Sequence, residues 1–347
     1  MSRGTYAARP ARPSSTVSSS SSSSASSRTH SATPDFPSIQ KLIRSVYRSS
    51  KITVQQAEQL QARLHQVFLT RMVDGSILVL KCPPACNTRL LRHEKSLLEN
   101  ESKALETLHN YLPRVPVPQL LKYDGQGTSL GSPYIMMSYI PGRRLSELAP
   151  YLTAAERSTI DQTLGAYVRA LTTPPATQFG MTHRVFARKG SDSWHEAFSA
   201  LFEAVLRDAE DMLVTIPYES IRYYVGKQAH FLNEVTEPRF VALHACDPTN
   251  VLIDETTKRV TGLVGFSDVI WGDPLMTGGL EGGSAAFFEG YGSRPVQTGG
   301  VKARMLMYAA YKATLRIVTH HYRPHLGTDE NEARRELSIA LNALAAM

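Results

Sequence analysis

Glycine is missing from the chain between Gly4 and Gly75. A glycine-rich loop that wraps phosphate groups, with its close backbone approach and φ > 0, therefore has no raw material in the first fifth of the sequence. No apolar run reaches the ~18 residues that a membrane-spanning helix needs, so no membrane partner is expected. Cysteine is scarce, with three in 347 residues, which excludes a disulfide framework and favours a reducing compartment, the cytoplasm. Cys82 and Cys86 stand in a C-x-x-x-C spacing, but no second Cys/His pair follows to complete a zinc site. Acids are missing from residues 1–34, which hold Arg3, Arg9, Arg12 and Arg28 and the serine run Ser18–Ser24. Such a segment cannot bury enough surface to offset its ordering entropy, so it reads as a disordered tail; its composition is also that of a mitochondrial transit peptide. The formal charge is +7, and the tail supplies more than half of it. The body has no basic cluster with interleaved aromatics, and no nucleic-acid partner is expected.

The length suggests about two domains or lobes, at ~150 residues each. Residues 36–66 read as helical, on a stripe of Ile39, Leu42, Ile43 and Val46. The β-rich runs Val67–Val73 and Ser76–Lys81 flank Asp74-Gly75 and predict a hairpin. A helix is expected over 92–109 and a strand at Tyr134–Met137. Beyond 154 the pattern is helical (154–171, 193–214, 218–235, 301–321, 328–346). One β-rich island at about 240–270 interrupts it, where Asn250–Ile253 and Val260–Phe266 flank a turn. The fold class is α+β: a small β-sheet N-lobe over 35–140 with a leading helix, and a mainly helical C-lobe over 141–347.

Two charged residues stand out in the front half. Lys81 shares a strand face with Ile77 and Val79. Glu101 lies on the apolar stripe of its helix, four residues from both Leu97 and Leu105, where a carboxylate is costly to bury unless paired. A strand lysine that pairs with a helix glutamate leaves its ammonium aimed at phosphate oxygens, an arrangement that kinases use. The alternatives are a lysine reaching solvent at a strand end and a glutamate at the stripe edge.

In the rear half, His244-Ala245-Cys246-Asp247-Pro248-Thr249-Asn250 and Gly262-Leu263-Val264-Gly265-Phe266-Ser267-Asp268, followed by Gly272-Asp273-Pro274, resemble the paired motifs of the aminoglycoside phosphotransferase family. That family is the antibiotic- and choline-kinase-like branch of the protein-kinase fold, and it writes the motifs H-x-D-x-x-x-x-N and hydrophobic-hydrophobic-D-W/F-E/S, then G-D-P. The resemblance covers roughly residues 36–320 and implies two lobes around an inter-lobe cleft, with ATP and Mg²⁺ as cofactors and transfer of the γ-phosphoryl group to a small-molecule hydroxyl. It implies phosphate-side roles for Lys81 and Glu101, adenine contacts by backbone at Ser138 and Ile140, and a metal ligand at Asn250. Asp273 is implied to cap a turn.

The departures lie where the chemistry would be. The position of the catalytic acid falls on Ala245 counted from Asn250, or on Cys246 counted from His244, and neither is an acid. The metal-binding acid is replaced by Gly265. Asp247 and Asp268 are the nearest carboxylates. Two readings stay open: a pseudokinase that binds a small molecule or a protein partner at the cleft, and an active phosphotransferase with Asp247 and Asp268 as a rearranged acid set. Cys246 as a thiol nucleophile, the histidines His320, His321 and His325 as metal ligands, and Glu203, Asp208, Glu210 and Asp211 as a pocket for a cationic substrate are further expectations, each weighed against an ordinary structural role.

Overall fold

A computed structural model describes residues 33–326 and 329–347; the predicted tail, apart from its last two residues, lies outside them. The front part runs α1 (Phe36–Tyr47), β1 (Val54–Leu60), β2 (Gln66–Met72), β3 (Ile77–Cys82), α2 (Leu97–Tyr111), β4 (Leu120–Asp124) and β5 (Tyr134–Ser138). The rear part runs β6 (Arg143–Arg144), α3 (Leu145–Leu148), α4 (Ala154–Leu171), β7 (Gly180–Met181), α5 (Thr182–Phe186), α6 (Trp194–Asp211), α7 (Tyr218–Gln228), β8 (Arg239–Ala242), β9 (Val251–Ile253), β10 (Val260–Leu263), β11 (Val269–Gly272), α8 (Gly278–Gly282), α9 (Ala285–Tyr291), α10 (Gly299–Tyr322) and α11 (Glu330–Ala345).

The front strands form one antiparallel sheet in the order β1-β2-β3-β5-β4. Alternation divides its two faces. Phe68, Leu78, Leu80 and Tyr134 pack with Ile39, Leu42 and Ile43 of α1 into one core. The opposite face carries Val79 and Lys81 towards α2 and the rear lobe. Two further three-stranded sheets, β10-β9-β6 and β7-β11-β8, lie within the helical lobe. They hold the degenerate motif segments between them. No described helix is long and apolar enough to cross a membrane.

The expected helix over 36–66 is the main departure. It ends at Tyr47, where Arg48 adopts a left-handed conformation (φ 51°). Residues 54–60 then pair with β2. Their Gln, Glu, Ala and Leu content favours a helix locally, but the partner strand decides the outcome, as β propensity is largely a matter of neighbours. Only Val54 of this edge strand is fully buried, so no period-2 apolar signal marks it in the sequence.

The lobes are fastened behind the cleft by the segment leading into α2. Arg323 of the rear lobe donates from Nη1 to Glu94 Oε2 at 2.9 Å and to the Arg89 carbonyl at 2.7 Å. The two charged side chains are about 5% and 8% exposed, so each depends on the other for its solvation. Arg92 donates its backbone N–H to Asp208 at 3.0 Å and pairs with Asp211 at 2.9 Å. Glu203 and Glu210 both accept from Arg222. These four acids are therefore matched to arginines and do not form an open pocket for a cationic substrate. Glu94→Ala leaves a guanidinium buried without its carboxylate. It is expected to lower the unfolding free energy by ~3–5 kcal/mol, seen as a lower urea midpoint at constant m; an unchanged midpoint would refute the load assigned to this pair.

Candidate active site

Lys81 and Glu101 meet as an ion pair in the cleft, with side chains about 13% and 4% exposed. Leu97, Glu101, Leu105 and Leu108 are all buried, so the glutamate lies on the inward stripe of α2 and the lysine is its neutraliser. Asn100, beside it, is completely buried. Its Nδ2 donates to the carbonyls of Ser267 (2.6 Å) and Val269 (2.8 Å), and its Oδ1 accepts from His183 N–H at 3.0 Å. The helix that carries Glu101 is thus bolted to the segment that carries the second motif. Asn100 was not singled out from the sequence, although its place three residues after Leu97 and four before Ala104 puts it on the buried stripe.

The roof of the cleft is the loop 61–65 between β1 and β2, the stretch without glycine. It reaches the opposite lobe at two points. Arg63 Nη1 lies 3.5 Å from Asp247 Oδ2, and Arg144 Nη2 donates to the Gln61 carbonyl at 3.3 Å. His65 is buried; burial, with the Lys81 ammonium nearby, pushes its imidazole well below the ordinary value and leaves it neutral. Arg63 carries no periodic signal in the sequence and could be suspected only from its place in the roof.

The first motif is a chain of tight turns: Ala245 N–H donates to Ala242 O at 3.2 Å, Asp247 N–H to His244 O at 3.1 Å, and Asn250 N–H to Asp247 O at 2.8 Å. Ala245 is 2% exposed and belongs to the core. The Cys246 sulfur packs against Gly279, where a Cβ would come within 2.7 Å of it. Burial pushes its thiol up to about 12, which removes it as a nucleophile at neutral pH. Asp247 is the first side chain of this stretch to present a carboxylate, and it is half spent. Its Oδ1 accepts from Thr249 N–H (2.9 Å) and Thr249 Oγ (2.6 Å), while Oδ2 faces Arg63. Burial opposes its charge, but the Thr249 bonds and Arg63 outweigh that and hold the carboxyl below the usual range.

Asn250 and Gly265 are neighbours, so the two metal-side positions of the resemblance do converge. Gly265 has φ +81°, and a Cβ there would lie 2.7–2.8 Å from all three amide atoms of Asn250. The Asn250 Nδ2 donates to the His244 carbonyl at 3.1 Å. Asp268 lies elsewhere: Ser267 Oγ donates to it at 3.3 Å and His93 Nε2 is 3.8 Å away. A magnesium ion seeks six oxygens in a near-octahedral set that includes carboxylates. One amide oxygen beside a glycine does not supply that set, and among the described residues no three His, Cys, Asp or Glu side chains gather as a metal site. The residues present do not fit Mg²⁺. His320 and His321 lie 3.4 and 3.2 Å from Glu330 instead.

At the connector, Ser138 is tied to Gln119: its N–H donates to Gln119 O at 2.9 Å and its Oγ accepts from Gln119 N–H at 2.8 Å. The Ile140 N–H has no hydrogen-bond partner among the described residues. The Ile140 side chain rests on Gly262, where a Cβ would meet its Cγ2 at 2.7 Å. Behind the second motif, Asp273 caps the following turn through Leu275 N–H at 3.0 Å. It also accepts from Arg304 Nε (2.9 Å) and Tyr308 OH (2.8 Å), and Tyr308 in turn accepts from Trp194 Nε1 at 2.7 Å.

The family model described as the phosphotransferase enzyme family matches residues 74–276. No curated protein matches the chain. Among solved structures, the chain is similar to a thermostable mutant of the aminoglycoside phosphotransferase APH(4)-Ia in complex with AMP-PNP and hygromycin B, at 16% identity and TM-score 0.61, covering 89% of this chain and 100% of that one. It is similar also to APH(2")-IIia with GDP and kanamycin (16% identity, TM-score 0.58, 88% and 97% covered). A third likeness is to APH(2")-IIa with streptomycin and ATP (13%, 0.58, 91% and 98%). At these identities the likeness speaks for the two-lobed fold alone.

Two outcomes test the site. Gly265→Ala is expected to destabilise by at least ~1 kcal/mol, because a left-handed backbone disfavours a Cβ and Asn250 must move. In an Asn250→Ala background the cost should shrink by ~0.5 kcal/mol or more, a coupling read by a double-mutant cycle; strict additivity would refute the contact. Native labelling with iodoacetamide at about pH 8 should modify the exposed Cys86 and spare Cys82 and Cys246, whose thiols are both pushed up to about 12. Mass spectrometry showing prompt modification of Cys246 would overturn its assignment as a packed, unreactive thiol.

Proposed function

The chain belongs to the phosphotransferase enzyme family, and from that membership we propose that it is a catalytically degenerate member, a pseudokinase, that keeps a cleft for a nucleotide or another small molecule. The observation that carries this reading is the absence of both expected carboxylates: in either frame of the catalytic position, with Ala245 in the core and Cys246 packed against Gly279, and at the metal position, where Asn250 fills in beside Gly265. Phosphoryl transfer depends on positioning and charge neutralisation. Losing a positioned acid/base alone forfeits ~10²–10⁴ in rate, and losing the metal removes several kcal/mol more of transition-state stabilisation.

What is kept points to binding. Lys81 and Glu101 form the pair that would face phosphates, and the Ile140 N–H at the connector, without a hydrogen-bond partner among the described residues, is suited to a planar base. APH(4)-Ia binds AMP-PNP with hygromycin B and APH(2")-IIia binds GDP with kanamycin. We assign a nucleotide to the corresponding cleft here, between an N-lobe over 35–140 and a C-lobe over 141–347. A small hydroxyl-bearing molecule or a protein partner would occupy its outer part. Three free thiols suit a reducing compartment, the cytoplasm.

Thermal shift and single-turnover measurements with Mg-ATP and a panel of aminoglycosides and amino alcohols test the reading. ATP or ADP is expected to raise the melting temperature, with no phosphoryl transfer above the uncatalysed background. Robust turnover that disappears in Asp247→Ala would establish instead an active phosphotransferase with Asp247 and Asp268 as its acids.

A further inference from the structure

We propose that the cleft takes a polyphosphate-bearing ligand, a nucleoside di- or triphosphate, without any divalent cation, and that Arg63 carries the positive charge that a metal would otherwise bring. The inference rests on the nucleotide cleft assigned above. It starts from the mismatch between the donor set and Mg²⁺, and from what stands there in its place.

The sheet and the roof loop that leads into it supply the cations. Val67 pairs with Lys81, so both side chains leave the same face of the sheet, the face turned to the cleft. His65 and Arg63 stand just before β2, in the roof loop 61–65 that leads into this strand. Burial and the nearby Lys81 ammonium keep His65 neutral, so it adds no charge, and Lys81 is already matched by Glu101. Arg63 is the exposed charge. Its side chain is 68% exposed and, among the described residues, its one ion-pair partner is Asp247 at 3.5 Å, on the opposite lobe. Half of that carboxylate is committed to Thr249. An exposed arginine in so loose a pair can turn to phosphate oxygens, which match the guanidinium fork in geometry and charge.

The missing acids support the same conclusion from the other side. Carboxylates at the catalytic and metal positions would repel phosphates, and a bound cation would be required to reconcile them. Here Ala245, Cys246 and Gly265 are neutral. Asp247 has Oδ1 tied to Thr249 and Oδ2 within reach of Arg63, whose guanidinium can bridge this carboxylate and a phosphate, and Asp268 is turned to His93 and Ser267. The loss that removes the metal's ligands also removes the repulsion that makes the metal necessary.

Isothermal titration of the full chain with ATP and with ADP, in excess EDTA and in excess magnesium chloride, tests the proposal. Affinity in EDTA should match that in magnesium within about twofold. Arg63→Ala should weaken binding in EDTA by about tenfold or more and flatten its salt dependence, and Arg63→Lys should recover part of the loss. Binding that collapses in EDTA, or that is indifferent to Arg63→Ala, would overturn the metal-free site while leaving a nucleotide cleft in place. Failure of both nucleotides to bind in either buffer would overturn the nucleotide cleft itself, and this proposal with it.

Discussion

One buried amide sets the geometry of the cleft. Asn100 spends both N–H donors on the carbonyls of Ser267 and Val269, and its oxygen on His183. A carbonyl or N–H left unsatisfied at such depth costs ~1–3 kcal/mol, so the three contacts fix α2 against the strand that follows the second motif. Glu101 is the next residue on that helix. Its inward position, and through it the direction of Lys81, is inherited from the Asn100 bolt. The front lobe thus holds Lys81 and Glu101 in fixed relation to the rear lobe. The Asp273–Arg304–Tyr308–Trp194 network performs the matching service at the far end of β11.

That rigidity gives the missing acids their meaning. The chain retains the supports on which phosphotransferase chemistry is mounted: the lysine–glutamate pair, the asparagine, the capping aspartate and the connector. The carboxylates that the family resemblance leads one to expect, one at 245 or 246 and one at 265, are absent. At each of these positions the surroundings have closed over the vacancy. Ala245 is core, Cys246 packs on Gly279, and the Asn250 amide fills the space beside Gly265.

Much of this was legible in the residues. Glu101 announced itself by falling on an apolar stripe, Asp74-Gly75 fixed the hairpin that carries Lys81, and the paired motifs placed Asn250 beside position 265. The extent of the leading helix was misread, because β1 is an edge strand of helix-favouring residues whose conformation is set by β2. Asn100 lay on the same stripe as Glu101, but its partners are two backbone carbonyls more than 160 residues away, and no local pattern reveals those. Arg63 was illegible for another reason: an exposed loop arginine has no periodicity, and only the folded chain shows what it faces. The conformations of Ala245 and Cys246 were likewise invisible, since turn residues have no face until the turns are drawn.

The glycine-less roof, joined to the floor by an exposed ion pair at 3.5 Å and one arginine–carbonyl bond, contrasts with the rear of the cleft. Exposed pairs of this kind are worth under ~1 kcal/mol, whereas removing one partner of the buried Glu94–Arg323 or Asn100 contacts behind costs several times that. The molecule is therefore hung like a door: hinged firmly along α2, and latched lightly at its free edge.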